Sequence, residues 1–262
     1  MHAVKRLSAL SSSADWWRRA LLLFVAIGSL AFMLLKEPFG QNPNYHDFAD
    51  QRVILGVPNF LDVTSNILFL FVGAAGVVFC LAERKGSLRI AWLTFFLGVA
   101  IVSVGSAYYH VNPNNDTLVW DRLPMTIGFM GVFAALLGEY ASVRLGKSLL
   151  LPAVLLGFFS VLYWHWFDDL RLYYWIQLIP LLTVPIVMIL FRCRYTHQWI
   201  LLVALAFYVL AKISEAYDGE VFAFTQNLFS GHTLKHLLAA LSCVAVLIML
   251  KLRKSTEVDS AS

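Results

Sequence analysis

Eight apolar runs, at about 16–35, 61–82, 90–110, 123–143, 148–164, 172–191, 198–213 and 231–251, fill most of this 262-residue sequence. Each is 16–22 residues long, enough helix to cross about 30 Å of hydrocarbon when some are tilted or slightly short. A backbone inside lipid must satisfy its own hydrogen bonds, so only helices or a closed barrel can span. A barrel would show alternating segments of about ten residues, and these runs do not alternate. With 60% hydrophobic and only 14% charged residues, the chain has more apolar surface than a soluble domain of this size can hide. The fold class expected is therefore all-α, a polytopic transmembrane helix bundle of eight spans.

The first run lies behind Arg18 and Arg19 and ends in Met33-Leu-Leu-Lys-Glu-Pro38, with no small-x-small cleavage site after it. It reads as an uncleaved anchor helix. The organisation that follows is a polar tail over 1–15, an anchor helix and outer loop over 16–57, a seven-span domain over 58–251 and a cytoplasmic tail over 252–262. Fourteen of the 20 basic residues fall on one side of the alternating loops, in the groups Lys5/Arg6/Arg18/Arg19, Arg84/Lys85/Arg89, Arg144/Lys147, Arg192/Arg194 and Lys251/Arg253/Lys254. Eleven of the 16 acidic residues fall on the other. The positive-inside rule then predicts both termini in the cytoplasm. The pI near 9.0 thus reflects inner loops; nucleic acid is not an expected partner, and the lipid bilayer is. Cys80, Cys193 and Cys243 lie in or at the ends of apolar runs and form no CxxC pair, so they read as small hydrophobes.

Two short stretches interrupt the apolar pattern with chemistry. Ser106-Ala-Tyr-Tyr-His110 closes the third span, and His232-Thr-Leu-Lys-His236 opens the eighth. The i, i+4 spacing puts each pair on one helix face, about 6 Å apart along the axis. The predicted topology brings both stretches, together with Asp121 at the start of the fourth span, to one depth on the extracytoplasmic side. Three imidazoles are what an open zinc site asks for, the fourth position being left to water. His110, His232 and His236 are the candidate ligands. Asp121 is the candidate general base and acid, and Ser106 the candidate donor to a developing oxyanion.

Each has a plainer reading. A lone histidine at a helix end is usually interfacial or hydrogen-bonded, Ser106 can bond a carbonyl one turn back, and Asp121 can be an N-cap ahead of Pro124. Ser65 and Asn66 read as support for the site or as interhelical contacts. Lys212, Glu215 and Asp218 read as an exposed capping turn. Trp164, Trp166, Tyr173, Tyr174 and Trp175 read as an interfacial aromatic belt, and Asn115-Asp116-Thr117 as a glycosylation sequon on an outer loop.

Asn59-Phe-Leu-Asp-Val-Thr-Ser65-Asn66, Gly105-Ser106-Ala-Tyr-Tyr-His110, Asp121 and His232-x-x-x-His236, in this order, resemble the alkaline ceramidase family. That family is part of a superfamily of seven-span membrane hydrolases that includes the progestin/adiponectin receptors. The resemblance covers about 58–251. It implies a seven-helix bundle with zinc (Zn2+) on His110, His232 and His236, Ser106 and Asp121 as catalytic partners, and cleavage of ceramide to a sphingoid base and a fatty acid. The first span is additional to the family's seven. The acidic calcium-binding segment of eukaryotic ceramidases has no match: the corresponding loop offers His46, Asp47, Asp50 and Asn59 in another arrangement, so Ca2+ is not carried over.

The leading expectation is a zinc-dependent integral membrane amidohydrolase acting on a ceramide-like membrane lipid. A receptor-like protein with a structural zinc and no turnover is the alternative. A transporter is disfavoured because the inner halves of the spans are apolar apart from Glu139 and a few hydroxyls.

Overall fold

The computed structural model describes residues 16–83, 86–191 and 194–256. The polar tail over 1–15, Arg84, Lys85, Arg192, Cys193 and the segment beyond 256 lie outside these. The described residues form ten α-helices: α1 (Trp16–Leu34), α2 (Phe60–Ser65), α3 (Ile67–Ala82), α4 (Arg89–Val111), α5 (Asn115–Tyr140), α6 (Val143–Phe167), α7 (Arg171–Leu190), α8 (Ile200–Ala216), α9 (Asp218–Phe224) and α10 (Gly231–Leu252). Seven helices, counting α2 and α3 as one, are long and apolar enough to cross a membrane. The pair α8 and α9, bent by 87°, makes an eighth if taken together. The all-α polytopic architecture is as expected.

Helix α5 is the axis of the bundle. Its face of small residues, Gly128, Gly131, Ala134 and Ala135, is buried or nearly so. That lets backbones approach closely where lipid offers no hydrophobic drive. It packs chiefly on α4 and α6 and also on α7, while α10 packs on α8 and α3, which in turn meets α4. Helix α1 lies outside this ring and packs chiefly on α7, with Met33 its one buried residue among those described. Trp175 donates its indole N–H to Ser29 Oγ at 3.0 Å to hold it there.

Two expectations are corrected. The fourth span does not begin at Asp121: Asn114 caps α5 through a reciprocal box with Thr117 (3.0 and 3.2 Å), so the helix starts at Asn115. Asp121 therefore lies two turns inside it and is not an N-cap. Nor is Asn115 on a free loop, since its Oδ1 lies 3.0 Å from His46 Nε2. Pro124 cannot bond the Trp120 carbonyl, and that oxygen leans on Gly105 instead, where a Cβ would come within 2.1 Å of it. Glycine at 105 thus sets the close α4–α5 approach that brings Ser106 beside Asp121.

At the end of the bundle opposite the histidines, Trp92 donates to buried Glu139 at 2.8 Å, and Arg253 pairs with the same carboxylate oxygen. This ties the end of α10 to α4 and α5.

Candidate metal centre

The last turn of α4 and the first two turns of α10 meet at one end of the bundle. They carry His110, His232 and His236, which are 0%, 3% and 2% exposed. One ring nitrogen from each lies within 4.8 Å of the others. Metal–nitrogen bonds of about 2.0–2.1 Å would close this set on one ion after small side-chain rotations. The strongest sign that these residues suit a metal is His110. Both of its ring nitrogens are buried with no hydrogen-bond partner among the described residues, a costly state for an imidazole with nothing to bind. Three neutral imidazoles are also a donor set that zinc commonly takes in open sites.

The stretch from Asn59 to Asn66 supports the cluster. Asn59, in the left-handed conformation that asparagine tolerates, donates through Nδ2 to the His110 carbonyl at 2.8 Å. Fully buried Asp62 accepts from Thr233 Oγ1 at 2.6 Å, in the turn between the two α10 histidines. Ser65 Oγ lies 2.8 Å from His236 Nδ1 and donates to the Asp62 carbonyl at 3.2 Å. With Nδ1–H donated to Ser65, His236 keeps the Nε2 lone pair free for an ion.

The turn between α8 and α9 does more than the sequence suggested. Lys212 is exposed as expected, but Glu215 and Asp218 are partly buried and face the site. Glu215 is paired with Lys212 and, at 2.7 Å, with Lys235, and it accepts from the Tyr45 hydroxyl at 3.0 Å. Asp218 accepts the backbone N–H of His232 at 2.6 Å and that of Ala49 at 2.9 Å, so it clamps both α10 and the 36–60 loop. Lys235 Nζ lies 3.1 Å from His232 Nε2. A neutral imidazole has one lone pair, so His232 cannot serve Lys235 and an ion together. A bound ion requires Lys235 to lean on Glu215.

The loop before α2 covers the cluster. Phe48, 4% exposed, sets its ring 4.7 Å from both His110 and His232. His46 Nδ1 lies 2.9 Å from the Tyr109 hydroxyl. Two hydrogen bonds of 2.7 Å from Arg52 engage Asp50 and hold its carboxyl below the usual range against the opposing effect of burial. Thus His46, Asp50 and Asn59 all have protein partners.

Ser106 and Asp121 face one another across the α4–α5 contact, on the wall of a cavity of about 660 Å³ that His232 and His236 also line. The cavity runs down between α5, α7, α8 and α10 to Val184, Leu201 and Val246, about 20 Å deeper along α10 at 1.5 Å per residue. Its deep part is apolar. The five residues picked out in the sequence therefore come together at one end of the bundle. The aromatic belt is corrected in part: Trp166 and Tyr174 are exposed, but Trp164 and Tyr173 are buried around Arg122.

Sequence reasoning gave no role to Phe48 or Lys235 and read Glu215 only as part of a capping turn. Lys235 alone left a usable signal, a charge one residue before a candidate ligand and inside an apolar run. The chain matches no protein-family model and no curated protein.

Proposed function

We propose that this membrane-spanning helical protein is a zinc-dependent amidohydrolase that cleaves ceramide or a similar lipid amide to an amine and a fatty acid. The observation that supports it most is that the Ser106–Asp121 pair shares one apolar-floored cavity with His232 and His236, two members of the three-histidine group. His110, His232 and His236 would hold the ion. Zinc held by three imidazoles supplies a Lewis acid and a water whose pKa is lowered to about 7.

The chain's own residues do the rest. Asp121 accepts the proton of the attacking water and returns it to the departing amine nitrogen as the C–N bond breaks. Ser106 donates its hydroxyl to the amide oxygen as negative charge builds there. The deep cavity takes the acyl chain, and Phe48 keeps bulk water from the histidines. The Lys/Arg distribution favours an extracytoplasmic site with both termini in the cytoplasm.

Purified chain in detergent should carry about one zinc and release fatty acid from ceramide. His232→Ala should lose both properties, and Asp121→Ala should keep the zinc while losing release. The complete covering of His110 favours a second reading, a structural zinc in a receptor-like bundle. Stoichiometric zinc with no turnover of lipid amides or esters would select it.

A further inference from the structure

Arg122 is 4% exposed, lies one residue past Asp121 and borders the cavity. No carboxylate lies within ion-pairing distance of it among the described residues. Of the other acids on the cavity wall, Glu215 is committed to two lysines and Tyr45, Asp218 to two backbone N–H groups, Asp121 faces Ser106, and Asp47 is exposed. The rings of Trp164, Tyr173 and Tyr45 stand 4.0, 4.6 and 5.8 Å from its guanidinium carbon. They stabilise the flat face of the cation, while the Tyr45 and Tyr173 hydroxyls are turned to Glu215 and Met125. Nη2 donates to Gln41 Oε1 at 2.6 Å, and buried Nη1 has no partner. A buried cation at a membrane site usually has a paired anion, and here Asp121 adjoins Arg122 but forms no ion pair with it among the described residues.

We propose that Arg122 binds an anionic group, a carboxylate or a phosphate, on the leaving side of the lipid amide, so that the preferred substrate is an anionic N-acyl lipid and not a neutral ceramide. This rests on the hydrolase reading for its chemistry, but not for the binding it expects. The direction follows from the cavity. Its apolar depth leads away from the histidines and takes the acyl chain, while Arg122 stands at the opposite, polar end with Asn42, Asn44, Tyr45 and the exposed Asp47. An anion on the amine portion therefore meets the guanidinium when the amide lies at Ser106 and Asp121. The planar fork of Arg122 suits the two oxygens of a carboxylate or phosphate.

The test measures binding of N-palmitoylglycine, ceramide 1-phosphate and C16 ceramide to the full chain in nanodiscs of neutral lipid. Each is measured with zinc and again after chelation, so that attraction of an anion to the metal is separated from attraction to Arg122. At least one anionic probe should bind about tenfold more tightly than ceramide in the chelated protein. Arg122→Gln should abolish that advantage and Arg122→Lys should keep part of it. The carboxylate and phosphate probes show which anion is read. Ceramide binding as tightly as both anions in the unaltered protein overturns the proposal without recourse to any variant, and so does an advantage that survives in Arg122→Gln. Fatty-acid release is scored separately in the zinc-loaded samples: tight anionic binding without release sinks the hydrolase reading and leaves the Arg122 site standing.

Discussion

At His236 a single hydroxyl decides which nitrogen is offered. Ser65 Oγ, 2.8 Å from Nδ1, holds the ring so that Nε2 turns toward the other two histidines. Losing such a partner commonly weakens metal affinity by about 10–100-fold, so Ser65→Ala should do this while the bundle stays folded, as read by competition with a chelator of known affinity. Lys235 acts in the opposite sense. Its ammonium sits 3.1 Å from His232 Nε2 and adds positive charge where a cation would bind. Lys235→Met should therefore tighten zinc, by about tenfold once the compensating Glu215 is counted, in the same competition assay. An unchanged affinity would mean that Lys235 already rests on Glu215 alone.

Between elements, the contacts that matter cross from one helix to another far away in sequence, which explains what the sequence revealed and what it hid. The pairs Ser106/His110 and His232/His236 were legible because each lies within one helix, where i, i+4 spacing fixes a shared face. The position of Asp121 was misjudged because Pro124 looked like a first-turn proline, whereas the Asn114–Thr117 box starts the helix two turns earlier. Phe48 was illegible because nothing local marks it, and Glu215 showed only its local spacing; their roles come from a loop folding back over α4 and α10 and from Lys235 on α10. The junction of α1 with α7 is a similar case. Arg171 donates to the carbonyls of Leu34 and Lys36 at 2.9 and 2.7 Å while Asp169 pairs with it at 2.7 Å. That guanidinium holds the Asp169 carboxyl below its usual range. A carboxylate with a depressed folded pKa contributes fully above its unfolded value, about 3.9, and loses the contribution as pH falls through the folded value. Acid below about pH 4 should therefore loosen α1 from α7, measured as growing distance between spin labels on the two helices. Asp169→Asn should show the loosened distance at neutral pH and little further change in acid.

For the whole molecule, the ligands lie on two helices that are not adjacent in the chain. The ring of helices is closed at the histidine end by the meeting of α4, α2 and α10. An ion shared by His110 and the α10 pair is then a cross-link between the two halves of the bundle, and the three-ligand site exists only when both are in place. Anything that binds the folded state alone stabilises it by RT ln(1 + [L]/Kd), about 2.7 kcal/mol at a hundredfold excess over Kd and about 1.4 kcal/mol more for each further tenfold. The melting temperature of the purified chain should therefore rise steadily with the logarithm of free zinc and fall on chelation. The opposite end, where Glu139, Trp92 and Arg253 join α4, α5 and α10, needs no ion. Melting in chelator should consequently begin at the histidine end, seen as early exposure of Tyr109 and of the loop around Phe48 by hydrogen exchange or proteolysis. His110→Ala should make the melting temperature much less sensitive to zinc, because the α10 pair alone can hold an ion without joining the two halves. A full zinc response in His110→Ala would place the ion on α10 alone and remove the cross-link.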